Sequence, residues 1–300
     1  MDNYSPLRYP GGKNKTYKYV KYLVEKNNIE TYIEPYCGGA AVALKLLFNE
    51  DVKRIMINDY DRAIYAMWYS IINDTNSFIE KIDNVIFTID EWEKQRIIQN
   101  NKDSADLLEL GFSTFYLNRT NRSGIINAGP IGGKNQSGDY KMNCRFNTDV
   151  LKEKIRLIAS YKKSIKLYNL DAIDFIKKNI VKTKKSLTFF DPPYFVKGKD
   201  LYTNFYEFPD HVELSNSISK YMKNQKWILT YDVHDDIRNI YSNFEYFTYQ
   251  LNYSAGSSKK GLEYIFLSDI LSSAEIENYL VVKWSIVSWK YILYASSIWK

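Results

Sequence analysis

Short apolar runs alternate with helical stretches along most of this 300-residue chain. Four runs of four or five residues are rich in β-branched and aromatic side chains, a composition that predicts buried strands. Stretches with apolar residues at helical spacing follow the first three runs. Because such alternation is typical of parallel sheets covered by helices, the sequence predicts an α/β fold. The predicted strands are 31–34, 54–58, 164–168 and 186–190, with a fifth at 227–231 and an antiparallel pair at 246–250 and 263–267, and the predicted helices are 40–48, 62–72 and 172–179.

The stretch from about 75 to 150 interrupts this alternation. It is predicted to contain helices followed by a run rich in loops. Between positions 111 and 147 the chain has six glycines, and its charges are five basic against one acidic. A long glycine-rich loop within a compact fold is uncommon and is often a binding element, although a solvated insertion has the same composition. Both interpretations are open at this point.

Composition excludes several classes of protein. Hydrophobic residues make up 45% of the chain and charged residues 25%, as in ordinary globular proteins. With two histidines and two distant cysteines, Cys37 and Cys144, the chain carries neither a disulfide framework nor the ligand pattern of a zinc site. The first 20 residues contain no apolar signal core, so we expect a reducing, cytoplasmic location. The net charge of +6 is mildly basic and by itself is weak evidence for a polyanionic partner.

An apolar stretch at 279–294 lies near the end of the sequence. Lys283 and Lys290 interrupt it, whereas a membrane-spanning helix needs about 20 mostly uncharged residues. No membrane span is therefore predicted. Attachment at a membrane surface is open, but packing against the sheet or a partner is favoured.

The residues at 33–42, Ile-Glu-Pro-Tyr-Cys-Gly-Gly-Ala-Ala-Val, lie where the first strand ends and a helix begins. Glycines at such a turn let the backbone approach a ligand closely, and a helix N-terminus favours negative charge. Asp59 follows the second strand, about 20 residues beyond Gly38, where an acid accepts hydrogen bonds from ribose hydroxyls in dinucleotide-binding folds. A tight turn alone also accounts for the glycines. Together with Asp59, however, they favour a cofactor that contains adenosine.

A second motif, Asp191-Pro192-Pro193-Tyr194, follows the apolar strand at 186–190. Its two prolines restrict the backbone and remove two N–H donors. A carboxylate, nearby carbonyls and an aromatic ring are thereby held at the carboxyl end of a strand, where open α/β sheets bind ligands. Asp191 and the Pro192 carbonyl can accept the two hydrogens of an exocyclic amino group while Tyr194 stacks on the ring that carries it. A proline-stiffened turn with a capping aspartate is the alternative.

The motif at 191–194 resembles motif IV of the amino-methyltransferases that use S-adenosylmethionine. Further segments resemble one subfamily, the D12-class, Dam-like DNA adenine-N6 methyltransferases. Leu-Arg-Tyr-Pro-Gly-Gly-Lys at 7–13 is similar to their N-terminal cofactor motif. Glu-Pro-Tyr-Cys-Gly-Gly-Ala at 34–40 resembles their Glu-Pro-Phe-x-Gly-x-Gly motif, with departures at Tyr36 and Ala40. The resemblance covers about 5–270 and includes the segments 115–119, 123–124, 145–147, 202, 210–214 and 254–263.

The resemblance implies a Rossmann-like methyltransferase sheet at 1–74 and 151–272, with a mostly helical target-recognition domain inserted at 75–150. It does not cover a tail at 273–300. It assigns catalysis to Asp191, Pro192, Pro193 and Tyr194. It implies S-adenosylmethionine as the cofactor, bound by Tyr9, Gly11, Gly12, Lys13, Glu34, Pro35, Tyr36, Gly38, Gly39, Ala40, Asp59, Asp171 and Asp191, of which Asp171 is also a candidate helix cap. The implied DNA contacts are Asn118, Arg119, Arg122, Ser123, Lys134, Arg145 and Asn147, and no metal is implied.

The implied reaction transfers a methyl group from S-adenosylmethionine to N6 of an adenine that has left the stack of double-stranded DNA. The enzyme is expected to act alone or in a restriction-modification system, with a cognate restriction endonuclease for the same site. The alternatives are an amino-methyltransferase for RNA or for cytosine N4, and a catalytically inactive DNA-binding module. A nucleotide P-loop is set aside, because the spacing around Gly-Gly-Lys at 11–13 does not fit it.

Overall fold

A computed structural model describes residues 3–8, 13–195, 206–253, 259–272 and 276–283. The strands in these residues are β1 Thr31–Glu34, β2 Arg54–Asn58, β3 Ile165–Tyr168, β4 Ser186–Phe190, β5 Lys226–Asp232, β6 Glu245–Tyr253, β7 Lys259–Leu267 and β8 Val282–Lys283. They form one eight-stranded sheet in the order β3-β2-β1-β4-β5-β7-β6-β8.

Strands β1 to β5 are parallel, whereas β7 runs antiparallel between β5 and β6. The chain passes from β1 outward to β3 and then returns to the other side of β1 with β4. The strand order therefore reverses beside β1. Open α/β sheets bind ligands at the carboxyl ends of their strands at such a point. The predicted Rossmann-like methyltransferase sheet is confirmed.

Helices pack against the sheet, and the three that periodicity predicts are present with their ends displaced by at most one residue. The α-helices described are α1 Tyr17–Lys26, α2 Ala41–Phe48, α3 Arg62–Asn73, α4 Thr75–Asp83, α5 Ile89–Asn100, α6 Leu107–Thr120, α7 Thr148–Ser160, α8 Ala172–Lys178, α9 Phe208–Tyr221 and α10 Asp235–Ile240. A 3-10 turn, Lys13–Thr16, precedes α1.

Strands β1 and β4 are buried along their whole length, as expected of parallel strands that are covered on both faces. Successive residues of β1 contribute to different hydrophobic clusters. Tyr32 belongs to a cluster with Leu44 and Trp68, and Ile33 belongs to another with Phe190. The two-residue period of the strand therefore separates the two halves of the core.

The helices α4, α5 and α6 occupy the first part of the segment at 75–150, up to Thr120. Their Phe78, Trp92 and Phe115 lie in the same buried cluster as Leu44 of α2, so this segment shares a core with the sheet. The prediction of a loop-rich run from position 111 is wrong at its start. Residues 111–120 belong to α6, and the irregular stretch begins at Asn121. The glycine at 111 serves helix packing rather than a loop.

Gly111 lies where α6 packs against α3. A Cβ atom at this position would lie 2.6 Å from the carbonyl oxygen of Ala66 and 2.8 Å from Oγ of Ser70. The first of these atoms is backbone and cannot move aside without shifting α3. The close approach of the two helices therefore requires glycine.

We expect Gly111→Ala to lower the free energy of unfolding by about 1 kcal/mol or more, because overpacking a close contact usually costs about 1–3 kcal/mol. Helix propensity acts in the opposite direction, since alanine is about 1 kcal/mol more favourable than glycine inside a helix. Urea unfolding followed by circular dichroism measures the sign. A variant that is more stable than the wild type would contradict the close packing of α6 on α3.

At the end of the described chain, β8 pairs with β6 through Val282 opposite Tyr249. Packing of the tail against the sheet is thus observed for these residues, while 273–275 and 284–300 lie outside the described part. None of the helices in the described ranges combines the length and the apolar character that a membrane span needs.

Candidate active site

The turn between β1 and α2 lies at the carboxyl edge of the sheet, and three hydrogen bonds fix its backbone. The Cys37 N–H donates to the carbonyl oxygen of Asn58, and the Gly38 N–H donates to Oδ2 of Asp59, each over 2.9 Å. The indole N–H of Trp68 donates to the carbonyl oxygen of Gly38 over 2.9 Å. Gly38 has a φ of +42°, where glycine is favoured. The turn is therefore preformed.

Ala40 stands where the family motif has its last glycine. Its φ is +46°, and it precedes α2 without a capping side chain. The left-handed region costs roughly 1–2 kcal/mol for a residue that carries a Cβ atom. The Ala40 N–H donates to the carbonyl oxygen of Cys37 over 2.6 Å, which keeps the turn closed. The departure from the motif thus preserves the turn, which also contains Pro35 and Gly39, but strains its backbone.

Asp59 and Asp171 follow the carboxyl ends of β2 and β3. Burial and the neighbouring carboxylate of Asp61 raise the pKa of Asp59 to about 7. Asp171 is exposed, and its Oδ1 accepts the N–H groups of Ile173 and Asp174 over 2.8 and 3.3 Å. Asp171 therefore caps α8, as one of its two interpretations predicts, and these two bonds use only one of its oxygens.

Asn58 is a positioning residue that the sequence analysis did not single out. Its side chain is fully buried. The amide nitrogen donates to the carbonyl oxygens of Pro35 and Leu170 over 2.9 and 3.0 Å, and Oδ1 accepts the Leu170 N–H over 2.9 Å. One side chain thus joins the ends of β1, β2 and β3. Its position directly before Asp59, at the end of a predicted strand, was the sequence feature that could have indicated this role.

Glu34 and Tyr36 lie beside this turn. Glu34 is buried at the end of β1, and burial raises its pKa to about 8. Its Oε1 accepts the N–H of Ala43 in the first turn of α2 over 3.2 Å. The Tyr36 hydroxyl lies 2.9 Å from the hydroxyl of Tyr206, which precedes α9.

The Asp-Pro-Pro-Tyr motif begins directly after β4. Oδ1 of Asp191 accepts a hydrogen bond from Oγ1 of Thr230 over 2.8 Å and lies 3.1 Å from Nζ of Lys13. Among the described residues, both contacts go to Oδ1, and Oδ2 has none. Pro192 is buried and Pro193 is half-buried. The aspartate is therefore fixed at one oxygen and available at the other.

Lys13 brings the motif together with the hairpin of β6 and β7. Its Nζ donates to the hydroxyl oxygen of Tyr194 over 2.6 Å and to Oε2 of Glu263 over 2.8 Å. The Tyr194 hydroxyl donates to Oε1 of Glu263 over 2.6 Å, and the Tyr249 hydroxyl donates to Oε2. Neither Glu263, Tyr249 nor Thr230 was predicted as a site residue. Glu263 ends the resembling segment 254–263, but the resemblance assigns it no role, and its own strand offers only a charge followed by apolar residues.

The charges in this network set its protonation. Burial alone would lower the pKa of Lys13, but the carboxylates of Asp191 and Glu263 hold it well above its usual range. Burial tends to raise the pKa of Glu263, yet Lys13 and the two tyrosine hydroxyls lower it. The pKa of Asp191 is raised by burial, and Lys13 opposes that rise. Lys13 is therefore a permanent cation placed between two acidic side chains.

A second group of charges lies near the start of the chain and the end of α6. Burial, with the nearby charges of Arg8 and Arg145, lowers the pKa of Arg119 to about 10. Nε of Arg119 is buried and lacks a hydrogen-bond partner in the described part of the chain. Burial and the charge of Arg119 lower the pKa of Lys154. These four basic side chains, the basic cluster, form a site of positive potential.

The other predicted DNA contacts differ in exposure. Arg122, Ser123 and Arg145 are exposed, while Lys134 pairs with Glu93 over 2.6 Å. Asn147 is exposed and caps α7 by accepting the Val150 N–H.

Asn118 is the predicted DNA contact that the structure places away from solvent. It is buried, and its amide exchanges two 2.8 Å hydrogen bonds with the backbone of Arg8. The same amide donates to the carbonyl oxygen of Gly124. Its side chain therefore holds the N-terminal segment and the loop after α6 instead of facing a groove of DNA.

Three predicted cofactor residues, Tyr9, Gly11 and Gly12, lie outside the described residues, as do Tyr202 and positions 254–258 of the resembling loop. No group of three metal-ligating side chains occurs in the part of the chain that is described.

A family model for the D12 class of N6 adenine-specific DNA methyltransferases matches residues 9–255. The chain belongs to this family. It is therefore an enzyme that methylates adenine in DNA, and this decides against the RNA, cytosine and inactive-module alternatives. The type II methyltransferase M.MjaIII of Methanocaldococcus jannaschii is 26% identical over 203 residues, which cover 63% of this chain and 68% of that protein. An rRNA methyltransferase, aviRa from Streptomyces viridochromogenes, aligns over 83% of each chain with a TM-score of 0.33 and 8% identity.

We expect ionisation of Glu34 in this methyltransferase to reduce its stability as the pH rises. Because the pKa of Glu34 is raised to about 8, the folded state binds this proton more tightly than the unfolded state does. The resulting stabilisation is complete below the unfolded pKa of 4.5 and is lost as the pH rises through 8. Glu34→Gln should therefore lose less stability than the wild type between pH 5 and about pH 9, measured by urea unfolding.

Glu30→Gln is the matched control, because Lys185 and Lys53 lower the pKa of Glu30 and keep it ionised throughout this range. This variant should follow the wild-type pH dependence. A Glu34→Gln variant that also follows it would contradict the buried, protonated state of Glu34.

Proposed function

We propose that this methyltransferase transfers the methyl group of S-adenosylmethionine to N6 of an adenine flipped out of double-stranded DNA. The observation that carries the proposal is the position of Asp191. It follows β4, the strand beside β1 and its glycine turn, and Lys13 and Thr230 hold one of its oxygens. Family membership supplies the reaction and the DNA substrate. The roles of the individual residues are the proposal.

The strand ends around the turn fit S-adenosylmethionine through their hydrogen-bonding groups. The carboxylate of Asp59 would accept the ribose hydroxyls, and Asp171 would accept the amino group of the cofactor's adenine. The left-handed turn at Gly38 lets backbone approach the bound molecule. When bound, S-adenosylmethionine supplies a methyl group on a positively charged sulfur.

Asp191 and Pro192 would hold the amino group of the target adenine. Oδ2 of Asp191 accepts one N6 hydrogen, and the Pro192 carbonyl oxygen accepts the other. Two acceptors in a fixed geometry direct the nitrogen lone pair toward the methyl group. The negative charge of Asp191 also stabilises the positive charge that grows on N6 as the C–N bond forms and the methyl–sulfur bond breaks, and this charge is discharged when N6 releases one of its two hydrogens as a proton. Positioning and electrostatics therefore provide the proposed rate acceleration.

Tyr194 would stack on the extruded adenine. Extrusion costs a few kcal/mol of stacking and pairing, and stacking on an aromatic side chain returns about 1–3 kcal/mol. The ring is only 3% exposed, so access of a base to its face requires a change in the packing around it. The hydroxyl is anchored to Lys13 and Glu263, which keeps the far end of the side chain in place during such a change.

The basic cluster and the loop after α6 would bind DNA. Guanidinium groups are suited to phosphate oxygens, which supply affinity without sequence selectivity. Arg122 and Ser123 are exposed in the loop that follows α6, where Arg122 is available to a phosphate and Ser123 to a base edge. We include Arg119, Lys134 and Asn147 in this interface and assign Asn118 a supporting role within it.

A cognate restriction endonuclease for the same site is part of the proposal. Its support is similarity to M.MjaIII, which is named a type II methyltransferase. A DNA substrate also supports the expected cytoplasmic location.

Asp191→Ala should lower methyl transfer to plasmid DNA at least about 100-fold, because it removes a charge that faces the reacting nitrogen. Tritium incorporation from labelled S-adenosylmethionine measures the rate, and calorimetry should show that the cofactor still binds. Single-molecule sequencing of the methylated plasmid identifies the modified base.

The control is Asp235→Ala at the exposed start of α10, which should methylate at the wild-type rate. Near-normal turnover by Asp191→Ala would remove Asp191 from the mechanism. Methyl groups found on a base other than adenine would reject the proposed target atom.

Arg145→Ala and Arg122→Ala should each weaken DNA binding and reduce its salt dependence. Loss of one phosphate contact lowers the slope of log K against log salt concentration by about 0.9. Fluorescence anisotropy with a labelled duplex at several NaCl concentrations measures that slope. Arg54→Ala is the control, because Arg54 is exposed at the amino end of β2, on the opposite edge of the sheet. Unchanged slopes in both loop variants would exclude the region as the phosphate-binding surface.

A further inference from the structure

We propose that Glu263 is a positioning residue for methyl transfer, which acts through Lys13 and Tyr194 on the Asp-Pro-Pro-Tyr motif. The inference rests on the proposed function, because it assumes that this motif holds the target adenine. It assigns a role to the antiparallel strand β7, which otherwise serves only as a structural part of the sheet.

The direction of β7 brings Glu263 into the site. The parallel strands end at the ligand-binding edge, whereas an antiparallel strand has its earlier residues there. Glu263 pairs in register with Asp232, the last residue of β5, and with Tyr249 of β6. A carboxylate from late in the sequence is thereby placed beside Asp191, which follows the neighbouring parallel strands.

Glu263 is completely buried, and both of its oxygens accept hydrogen bonds. Oε1 accepts from the Tyr194 hydroxyl, and Oε2 accepts from Lys13 and the Tyr249 hydroxyl. Burying a carboxylate without partners is very unfavourable. One ammonium and two hydroxyls offset that cost here, so the charge is kept at a specific place instead of being neutralised by a proton.

The first consequence concerns the charge of the site. Lys13 lies 2.8 Å from Glu263 and 3.1 Å from Asp191, so a single cation is shared by two acidic groups. With both carboxylates ionised, the three side chains carry a net charge of −1. Without Glu263, Lys13 would neutralise Asp191 alone. The positive charge that grows on N6 would then meet a weaker negative field.

The second consequence concerns geometry. The ammonium that Glu263 holds reaches Oδ1 of Asp191, which leaves Oδ2 to the substrate. The Tyr194 hydroxyl accepts from Lys13 and donates to Glu263, so it is fixed in both of its hydrogen-bonding roles. Loss of the Glu263 charge frees the ammonium and the tyrosine together. Two parts of the proposed adenine site therefore depend on one carboxylate.

The test is the Glu263→Gln variant, which keeps the volume of the side chain and one acceptor oxygen. We expect its single-turnover rate constant for adenine methylation to fall at least about tenfold at a temperature where the variant is fully folded, with the dissociation constant for S-adenosylmethionine within about twofold of the wild-type value. Glu245→Gln, an exposed glutamate on β6 of the same hairpin, is the control and should retain the wild-type rate constant.

A double-mutant cycle separates positioning from a purely structural role. Tyr194→Phe removes only the hydroxyl that Glu263 holds. If Glu263 acts partly through that hydroxyl, the combined loss of rate in Glu263→Gln/Tyr194→Phe is smaller than the product of the single losses. A multiplicative loss, or a wild-type rate constant in Glu263→Gln, would overturn the inference. So would a loss of rate that tracks a loss of folded protein.

Tyr249→Phe provides an independent measurement if Glu263→Gln does not fold. It removes one donor to Oε2 and leaves Lys13 in place. We expect at least about a threefold lower rate constant at an unchanged KM for S-adenosylmethionine, and an unchanged rate constant overturns the inference. The wild-type reaction distinguishes a failure of the proposed function from a failure of the proposed role of Glu263. If the wild type methylates no adenine, the proposed function fails; if it does and the variants match it, only the role of Glu263 fails.

Discussion

A single buried ammonium joins the parts of the chain that surround the Asp-Pro-Pro-Tyr motif. Lys13 comes from the turn before α1, Asp191 from the end of β4 and Glu263 from β7. Two carboxylates that both lie within 3.1 Å of the same ammonium nitrogen repel each other and would favour a shared proton without it. The lysine removes that repulsion, and in exchange its own charge depends on both acids. Because no pair among the three is satisfied alone, the N-terminal segment, the central sheet and the final hairpin need one another for this arrangement.

Neutral groups hold part of the other half of the site, beside the titratable carboxyl groups of Asp59 and Glu34. Asn58 links the end of β1 to the end of β3 with amide hydrogen bonds. The indole N–H of Trp68 holds the glycine turn through the carbonyl oxygen of Gly38. These bonds are insensitive to pH and salt, whereas the network around Lys13 depends on protonation. The amide and indole hydrogen bonds therefore keep the proposed cofactor half in place at any pH, whereas Asp59, with a pKa of about 7, and Glu34, with a pKa of about 8, add contacts there that depend on pH.

The sequence predicts the parts of this molecule that depend on local patterns. The five parallel strands are short apolar runs, and the Asp-Pro-Pro-Tyr and glycine motifs are contiguous, so both were identified without the structure. Glu263 was not, because its partner Lys13 lies 250 positions away in the sequence and no periodicity signals the pair. The glycine at 111 was misread for a related reason. Its requirement arises from the backbone of α3, whereas composition alone associates glycine with loops. Asn118 was assigned to DNA through the family resemblance of the segment 115–119, but its contacts are those of a buried amide.

The core that α4, α5 and α6 share with the sheet has a consequence for how such enzymes change their target. Phe78, Trp92 and Phe115 are packed into the cluster that supports α2 and the cofactor turn. The segment at 75–150 is therefore one cooperative unit with the catalytic sheet rather than an interchangeable module. Under the proposed assignment of DNA recognition to this segment, a new specificity grafted by exchanging the whole segment has to reproduce the buried interface as well as the surface. Substitutions confined to the irregular stretch after α6 do not carry this constraint, so variation in specificity is expected to accumulate there first.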